Sequence, residues 1–462
     1  MKESVFENEE KDKESQLSKV LGVLHVWALG VGIVLVGEFM GWNFGITKGG
    51  SLGAIIACWI AGILFISLIM VNTEIGTVIP EAGGQYAMAK YLLGPLGAFN
   101  IGLMMVFQYV MLEAADALVV GEIIQTLSPD VQALPYIILS LLALTYLNYR
   151  SVYLTLSFNF IFALIAFITI FILLFSTKFY SSSESLLQLS QLTNGLPYGY
   201  IGIVGAMQFG IWFFLGIEGT VVAAEECRSA GRSIPVGATV GLVTLLIGGT
   251  TTWFICSGMV DANILKNSVY PLFDAAKGTG SAFVANALFI GTMFACLASA
   301  NGCITDSSRA WYAMSKDLLI PDFFAVVHPK YNTPYRAILF LLPIAIAFGF
   351  TGLLDQVVTF SILSALLIYM FTAYMMFKFR KMYPIGHIQR SYIAPIYQLH
   401  VIIIIGISLT TFIGMYFGYW INLVSGCMFY LIASLWFVLH RYKYLDIKEF
   451  ISCDAWPRPK GY

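Results

Sequence analysis

Long apolar runs without charge constrain this chain more than any other feature; residues 152–176 contain no charged side chain at all. A hydrocarbon core about 30 Å thick takes roughly 20 apolar residues per helix. The run 152–176 is long enough, and so is 396–440, with a break near Gly418 and Trp420. Only 11% of the 462 residues are charged, against 58% hydrophobic. Soluble domains run near 25% charged, so a water-facing surface cannot be built from this composition. The chain reads as an all-α polytopic membrane protein. Its net charge of −1 offers no basic excess for nucleic acid, and its environment is the lipid bilayer. Residues 1–19 are rich in Glu and Lys, with no apolar stretch or cleavage site, and read as a solvated tail rather than a signal peptide. The seven cysteines lie mostly inside apolar runs without CxxC spacing, which points to thiols rather than a disulfide framework.

Hydropathy, punctuated by Gly, Pro and charge, predicts twelve spans. They cover 21–46, 51–78, 95–127, 134–148, 152–177, 199–227, 235–259, 281–312, 335–351, 355–377, 396–417 and 420–441. Of the 25 Lys and Arg residues, only Lys48, Lys178, Lys266 and Lys277 fall on one side of this arrangement. The positive-inside rule puts the crowded side, with both termini, in the cytoplasm, which fits a cell inner membrane.

Spans one and six stand apart. The first carries Gly30, Gly32, Gly37, Gly41 and Gly45 around Glu38; the sixth carries Gly202, Gly205, Gly210, Gly216 and Gly219 beside Glu218. Glycine weakens a helix by about 1 kcal/mol relative to alanine, and a broken helix at membrane depth is tolerated where it lines a cavity. Glycine-interrupted spans at matching positions of two halves point to a transporter site. Close helix packing is the other use of such glycines.

Three passages carry a family resemblance. Glu74-Ile75-Gly76 leads to Pro80-Glu81-Ala82-Gly83-Gly84-Gln85-Tyr86. Gly216-Ile217-Glu218-Gly219 leads through Glu225-Glu226 to Arg232-Ser233-Ile234-Pro235. Ala300-Asn301-Gly302 leads through Ser308-Arg309 to Thr333-Pro334. In this order, over about residues 20–440, they resemble the amino acid–polyamine–organocation transporters. The run Val36-Gly37-Glu38-Phe39-Met40-Gly41-Trp42 looks most like ethanolamine permeases. The resemblance implies the leucine-transporter fold. Two inverted five-helix repeats (20–178 and 199–378) would be followed by two further helices (396–441) and a cytoplasmic tail (442–462). It also implies alternating access around a midplane site between spans 1, 3, 6, 8 and 10. Carried onto this sequence, that site comprises Val36, Gly37, Glu38, Tyr109, Glu113, Asp116, Trp212, Leu215 and Gly216, with Glu218 and Asp306 in gating or proton coupling. Glu113 and Asp116 depart from the family pattern, which has small apolar residues or proline there, and Asp306 replaces a small residue.

Carboxylates at the bilayer centre are costly and normally face the bundle interior. Glu113 and Asp116, three residues apart, share a helix face. Each pairs as well with a bound cation or proton as with a neighbouring helix. Glu122 lies farther round and reads as a solvated helix end. Trp212 either closes over substrate or packs. Glu74, Glu81, Glu225, Glu226, Arg228, Arg232 and Arg309 lie at cytoplasmic helix ends, as gate or as solvated ends. The five histidines have no metal-ligand spacing, and no nucleophile–base pair or phosphate loop appears. No enzyme activity, metal or cofactor is expected. The expected function is secondary transport of a small amine such as ethanolamine or of a cationic amino acid, linked to protons rather than sodium. The alternatives are a neutral amino-acid permease or exchanger and, from another class, a membrane sensor.

Overall fold

The computed structural model describes residues 22–79, 83–150, 152–179, 196–445 and 450. The first apolar segment is divided: α1 (Val23–Val34) stops before Leu35, and α2 (Val36–Met40) before Gly41. α3 (Trp42–Gly76) then runs through a corner at Gly50, whose φ of 72° joins two helices end to end. The corner lies inside the short gap expected between spans one and two, which meet there as two separate helices. Next come α4 (Gln85–Leu93), α5 (Pro95–Leu127), α6 (Leu134–Arg150) and α7 (Val152–Phe179). Pro95 supplies the fixed φ that favours a first helical turn in α5.

The second half opens with α8 (Gly199–Trp212) and a 3₁₀ helix (Ile217–Glu226). It continues through α9 (Ala230–Met259), the short α10 (Ala262–Asn267) and α11 (Pro271–Gly278), then α12 (Ala282–Lys316), α13 (Tyr335–Gly349) and α14 (Leu354–Met382). The last element, α15 (Tyr397–His440), bends at Tyr419. Among the described residues, eight helical segments are long and apolar enough to cross a membrane, and α8 and α13 are shorter apolar helices.

α8 packs most heavily on α3, and α12 on α5 and α7. Phe39, Trp42, Phe65, Phe209, Trp212, Phe213 and Phe214 are buried at the centre. Leu431, Ile432 and Ile402 of α15 and Trp59 of α3 are exposed, as suits a surface facing lipid rather than water. Buried amides staple α6, α7 and α12. Asn148 Nδ2 donates to Asn301 Oδ1 (2.7 Å), Asn301 Nδ2 donates to Asn159 Oδ1 (2.6 Å), and Thr305 donates to Asn148 Oδ1 (2.8 Å). Such bonds between membrane helices are worth about 0.6–2 kcal/mol each.

Candidate functional site

The sixth segment is broken at its centre. α8 ends at Trp212, and the chain turns through Phe213–Gly216 before resuming as the 3₁₀ helix. Gly216 has φ 112°, a conformation side chains rarely adopt, and a Cβ there would lie 2.6 Å from the Ile33 side chain. The amides around the break are already used. Those of Phe214, Leu215, Ile217 and Gly219 donate to the carbonyls of Ile211, Trp212, Phe214 and Gly216. The Gly216 amide donates to Glu218 Oε2 at 2.9 Å.

Glu218 is buried and accepts two more bonds, from Gln108 Nε2 of α5 (2.8 Å) and the Tyr369 hydroxyl of α14 (2.7 Å). The Tyr109 hydroxyl and the Asp306 carboxylate flank Gly219, each about 3 Å from where a Cβ would stand (2.9 and 3.1 Å). Arg309, one turn beyond Asp306, acts on it electrostatically. Gln108 and Tyr369 were not singled out from the sequence; a polar side chain inside an apolar span was the available signal.

The first segment is not unwound in the same way. Leu35 and Gly41 keep right-handed helical dihedrals, with Glu38 N–H donating to the Leu35 carbonyl (3.2 Å) and Gly41 N–H to that of Gly37 (2.8 Å). Its glycines instead admit the sixth segment. Cβ atoms at Gly37 and Gly41 would lie 3.3 Å from the Trp212 carbonyl and 2.9 Å from the Phe213 ring. Trp42 stacks on Phe213 with ring centroids 4.3 Å apart. Val36, Gly37, Trp212 and Leu215, all expected at the site, are buried where the two segments cross. The glycine-interrupted first span is divided at Leu35 and Gly41, and its small residues also let the backbones approach.

The carboxylates fall into separate groups. Glu113 and Asp116 are buried together on α5 and act on each other electrostatically. Asp116 faces α12, where Cys296, Ser299 and Cys303 lie. The Ser299 hydroxyl donates to the Ile33 carbonyl at 2.6 Å and lies close enough to Asp116 to act on it. Among the described residues neither oxygen of Asp116 has a hydrogen-bond partner.

Glu38 does not join this pair. Its carboxylate turns the other way, against Gly248 of α9 and near Cys58 of α3. Two carboxylates near helix ends have surroundings of their own. Glu122 lies beside Cys296 with one carboxylate oxygen buried. Glu74 is fully buried between Arg380 (2.7 Å) and Arg390, and also accepts from the Ala394 amide (2.8 Å). Glu81 and the side chains of Glu225 and Glu226 lie outside the described residues.

The sequence pattern of the amino acid permeases matches residues 23–451. The chain belongs to the amino acid permease family. The permease is 48% identical to an uncharacterised transporter of Rhizobium meliloti, with 97% of each chain covered. It is 23% identical to a branched-chain amino acid permease of Bacillus subtilis, over 74% of its own length and 77% of the other's. A methylthioribose transporter of the same organism is 25% identical, over 71% and 73%. A solved manganese transporter of Eremococcus coleocola superposes with a TM-score of 0.54 at 15% identity, covering 94% of the permease and 99% of that chain. That likeness shows the fold alone. The permease is a multi-pass membrane transporter of the amino acid–polyamine–organocation superfamily with a leucine-transporter-like, all-α fold, and not an enzyme.

Proposed function

We propose that this permease carries a small ammonium-bearing solute, of the ethanolamine or cationic amino-acid class, by proton-linked alternating access between two inverted five-helix halves. It would do so in the cell inner membrane with both termini cytoplasmic, the orientation that the Lys and Arg distribution supports. The observation that carries the reading is the pair Glu113 and Asp116. Both are buried, and among the described residues the charged group acting on Glu113 is Asp116, itself a carboxyl group. An ammonium group supplies the missing partner. At 4 Å and an effective dielectric constant of about 20, one such contact is worth about 4 kcal/mol before desolvation is subtracted.

The backbone around Gly216 supports the same choice. A substrate carboxylate is normally received by unpaired amides at a helix break. Here those of Phe214, Leu215, Gly216, Ile217 and Gly219 are all occupied. A neutral amino acid would have to displace Glu218 to reach the Gly216 amide; the branched-chain permease among the relatives is what favours that second reading. Binding of ethanolamine, lysine, leucine and glutamate to the purified protein tests the proposal. Ethanolamine or lysine should bind tightest, and leucine or glutamate in that position would defeat the amine reading.

A further inference from the structure

Glu38 is fully buried, and among the described residues neither of its carboxylate oxygens has a hydrogen-bond partner. It occupies a seam between α2, α3 and α9. The first segment and α9 run side by side in parallel register: Gly237 lies against Val26, Gly241 against Val31, and Gly248 against Glu38. One turn on, Trp42 Nε1 donates to the Thr252 hydroxyl at 2.8 Å. A methyl group at Gly248 would run into the Glu38 carboxyl, so the glycine leaves room for that group. Cys58 of α3 and the Trp42 ring close the seam beside Gly249.

Among the described residues the surroundings offer no counter-charge. From α3 the Cys58 thiol feels Glu38. The Cys256 thiol of α9 responds to Asp274 instead. On α11, Asp274 accepts from Ser268 (2.5 Å) and pairs with Lys277 (3.7 Å). On α12, Cys296 and Cys303 respond to Asp116 rather than to Glu38. An ionised carboxylate without partner or water is far costlier to bury than the neutral acid. The seam as built therefore suits a carboxyl group carrying its proton. α2 is a five-residue piece bounded by Leu35 and Gly41, with Glu38 at its centre.

We propose that Glu38 is a proton-binding site separate from the solute site, holding its proton while α2 lies on α9 and releasing it to water when α2 moves away. This rests on the proton-linked reading above, and the experiment separates the two. Infrared difference spectra of wild type minus Glu38→Gln at neutral pH should show a protonated carboxyl band; an ionised carboxylate band instead overturns the proposal. In proteoliposomes, radiolabelled ethanolamine uptake driven by a pH gradient should fall at least about tenfold in Glu38→Gln. Ethanolamine exchange without a gradient should persist, and Glu38→Asp should restore part of the gradient-driven uptake. Wild-type uptake indifferent to the gradient defeats proton linkage itself. Wild-type uptake that follows the gradient, with Glu38→Gln following it equally, defeats only the assignment to Glu38. Loss of ethanolamine affinity in Glu38→Gln would make Glu38 a solute contact and also overturn the proposal.

Discussion

The Tyr369 hydroxyl donates to Glu218 Oε1 across 2.7 Å, so α14 holds the residue two positions beyond the break at Gly216. Gln108 reaches the same oxygen from α5 at 2.8 Å. One buried carboxylate thereby ties three separate elements together at the point where the sixth segment has lost its regular helix. Hydrogen bonds to charged groups contribute about 1.5–3 kcal/mol each. Tyr369→Phe should therefore loosen the break while leaving the core around it filled. The measurement is amide hydrogen exchange over residues 213–220, which should speed up several-fold. Unchanged exchange there would show that Tyr369 does not hold Glu218.

Gly216 carries the conformation that makes the break possible. Its φ of 112° is strained for any side chain, and a Cβ would meet Ile33 besides. Strain of this kind costs on the order of 1–3 kcal/mol. Gly216→Ala should lower the thermal midpoint of the purified protein. Adding Ile33→Ala should recover only the part due to collision. Full recovery in the double variant would mean the backbone conformation contributes nothing.

Glu74 sits far from that break and has a structural task. Arg380 and Arg390 converge on it, and the Ala394 amide joins them, so the segment between α14 and α15 is fastened to the end of α3. Removing one partner of a buried pair costs about 3–5 kcal/mol, because the other charge is left uncompensated. Glu74→Ala should therefore cut the yield of folded protein and its thermal midpoint sharply, with Glu74→Gln in between. A midpoint unchanged in Glu74→Ala would mean that water already satisfies both arginines.

The reach of the sequence follows from which contacts are local. Apolar runs need only composition to be read, and the helix period alone puts Glu113 and Asp116 on one face of α5. Gly94-Pro95 marks the start of α5, and the break read near Gly418 and Trp420 corresponds to the bend at Tyr419. The direction of Glu38 is different in kind. It depends on a glycine of α9 more than 200 positions away, and nothing in the run Val36–Trp42 says which neighbour will leave room. For Glu74 the sequence leaves gate and solvated end open, because its arginines lie 306 and 316 residues further on. The glycines of the first span carry two meanings, unwinding or close approach. Only the Trp212–Phe213 turn lying across them decides for the second.

Orientation can be tested on exposed residues. Lys277 follows from the sparse side of the charge distribution and Lys330 from the crowded one, and both are exposed. Most native thiols are buried, so background labelling at those positions should be low. In intact cells a membrane-impermeant maleimide should label Lys277→Cys, and Lys330→Cys only after permeabilisation. Labelling of both from the same side would sink the proposed arrangement.

The amine reading rests on α5. Glu113 and Asp116 are three residues apart and buried, and among the described residues no cation acts on Glu113. Among the described residues neither oxygen of Asp116 has a hydrogen-bond partner, and the Ser299 hydroxyl beside it donates to the Ile33 carbonyl. On the amine reading, a bound ammonium group would let both carboxyl groups ionise and would supply hydrogen bonds to the Asp116 oxygens. A carboxylate on the solute would meet that same charge while finding the amides at the sixth-segment break occupied. Asp116→Asn and Glu113→Gln should each weaken ethanolamine binding by at least roughly tenfold, about 1.4 kcal/mol. The double variant should lose less than the sum, because the two residues act on one another. Isothermal titration with ethanolamine and with glutamate measures both effects. If glutamate binds tighter than ethanolamine, and neither substitution changes the affinity of either solute, the pair is structural and the cation site lies elsewhere.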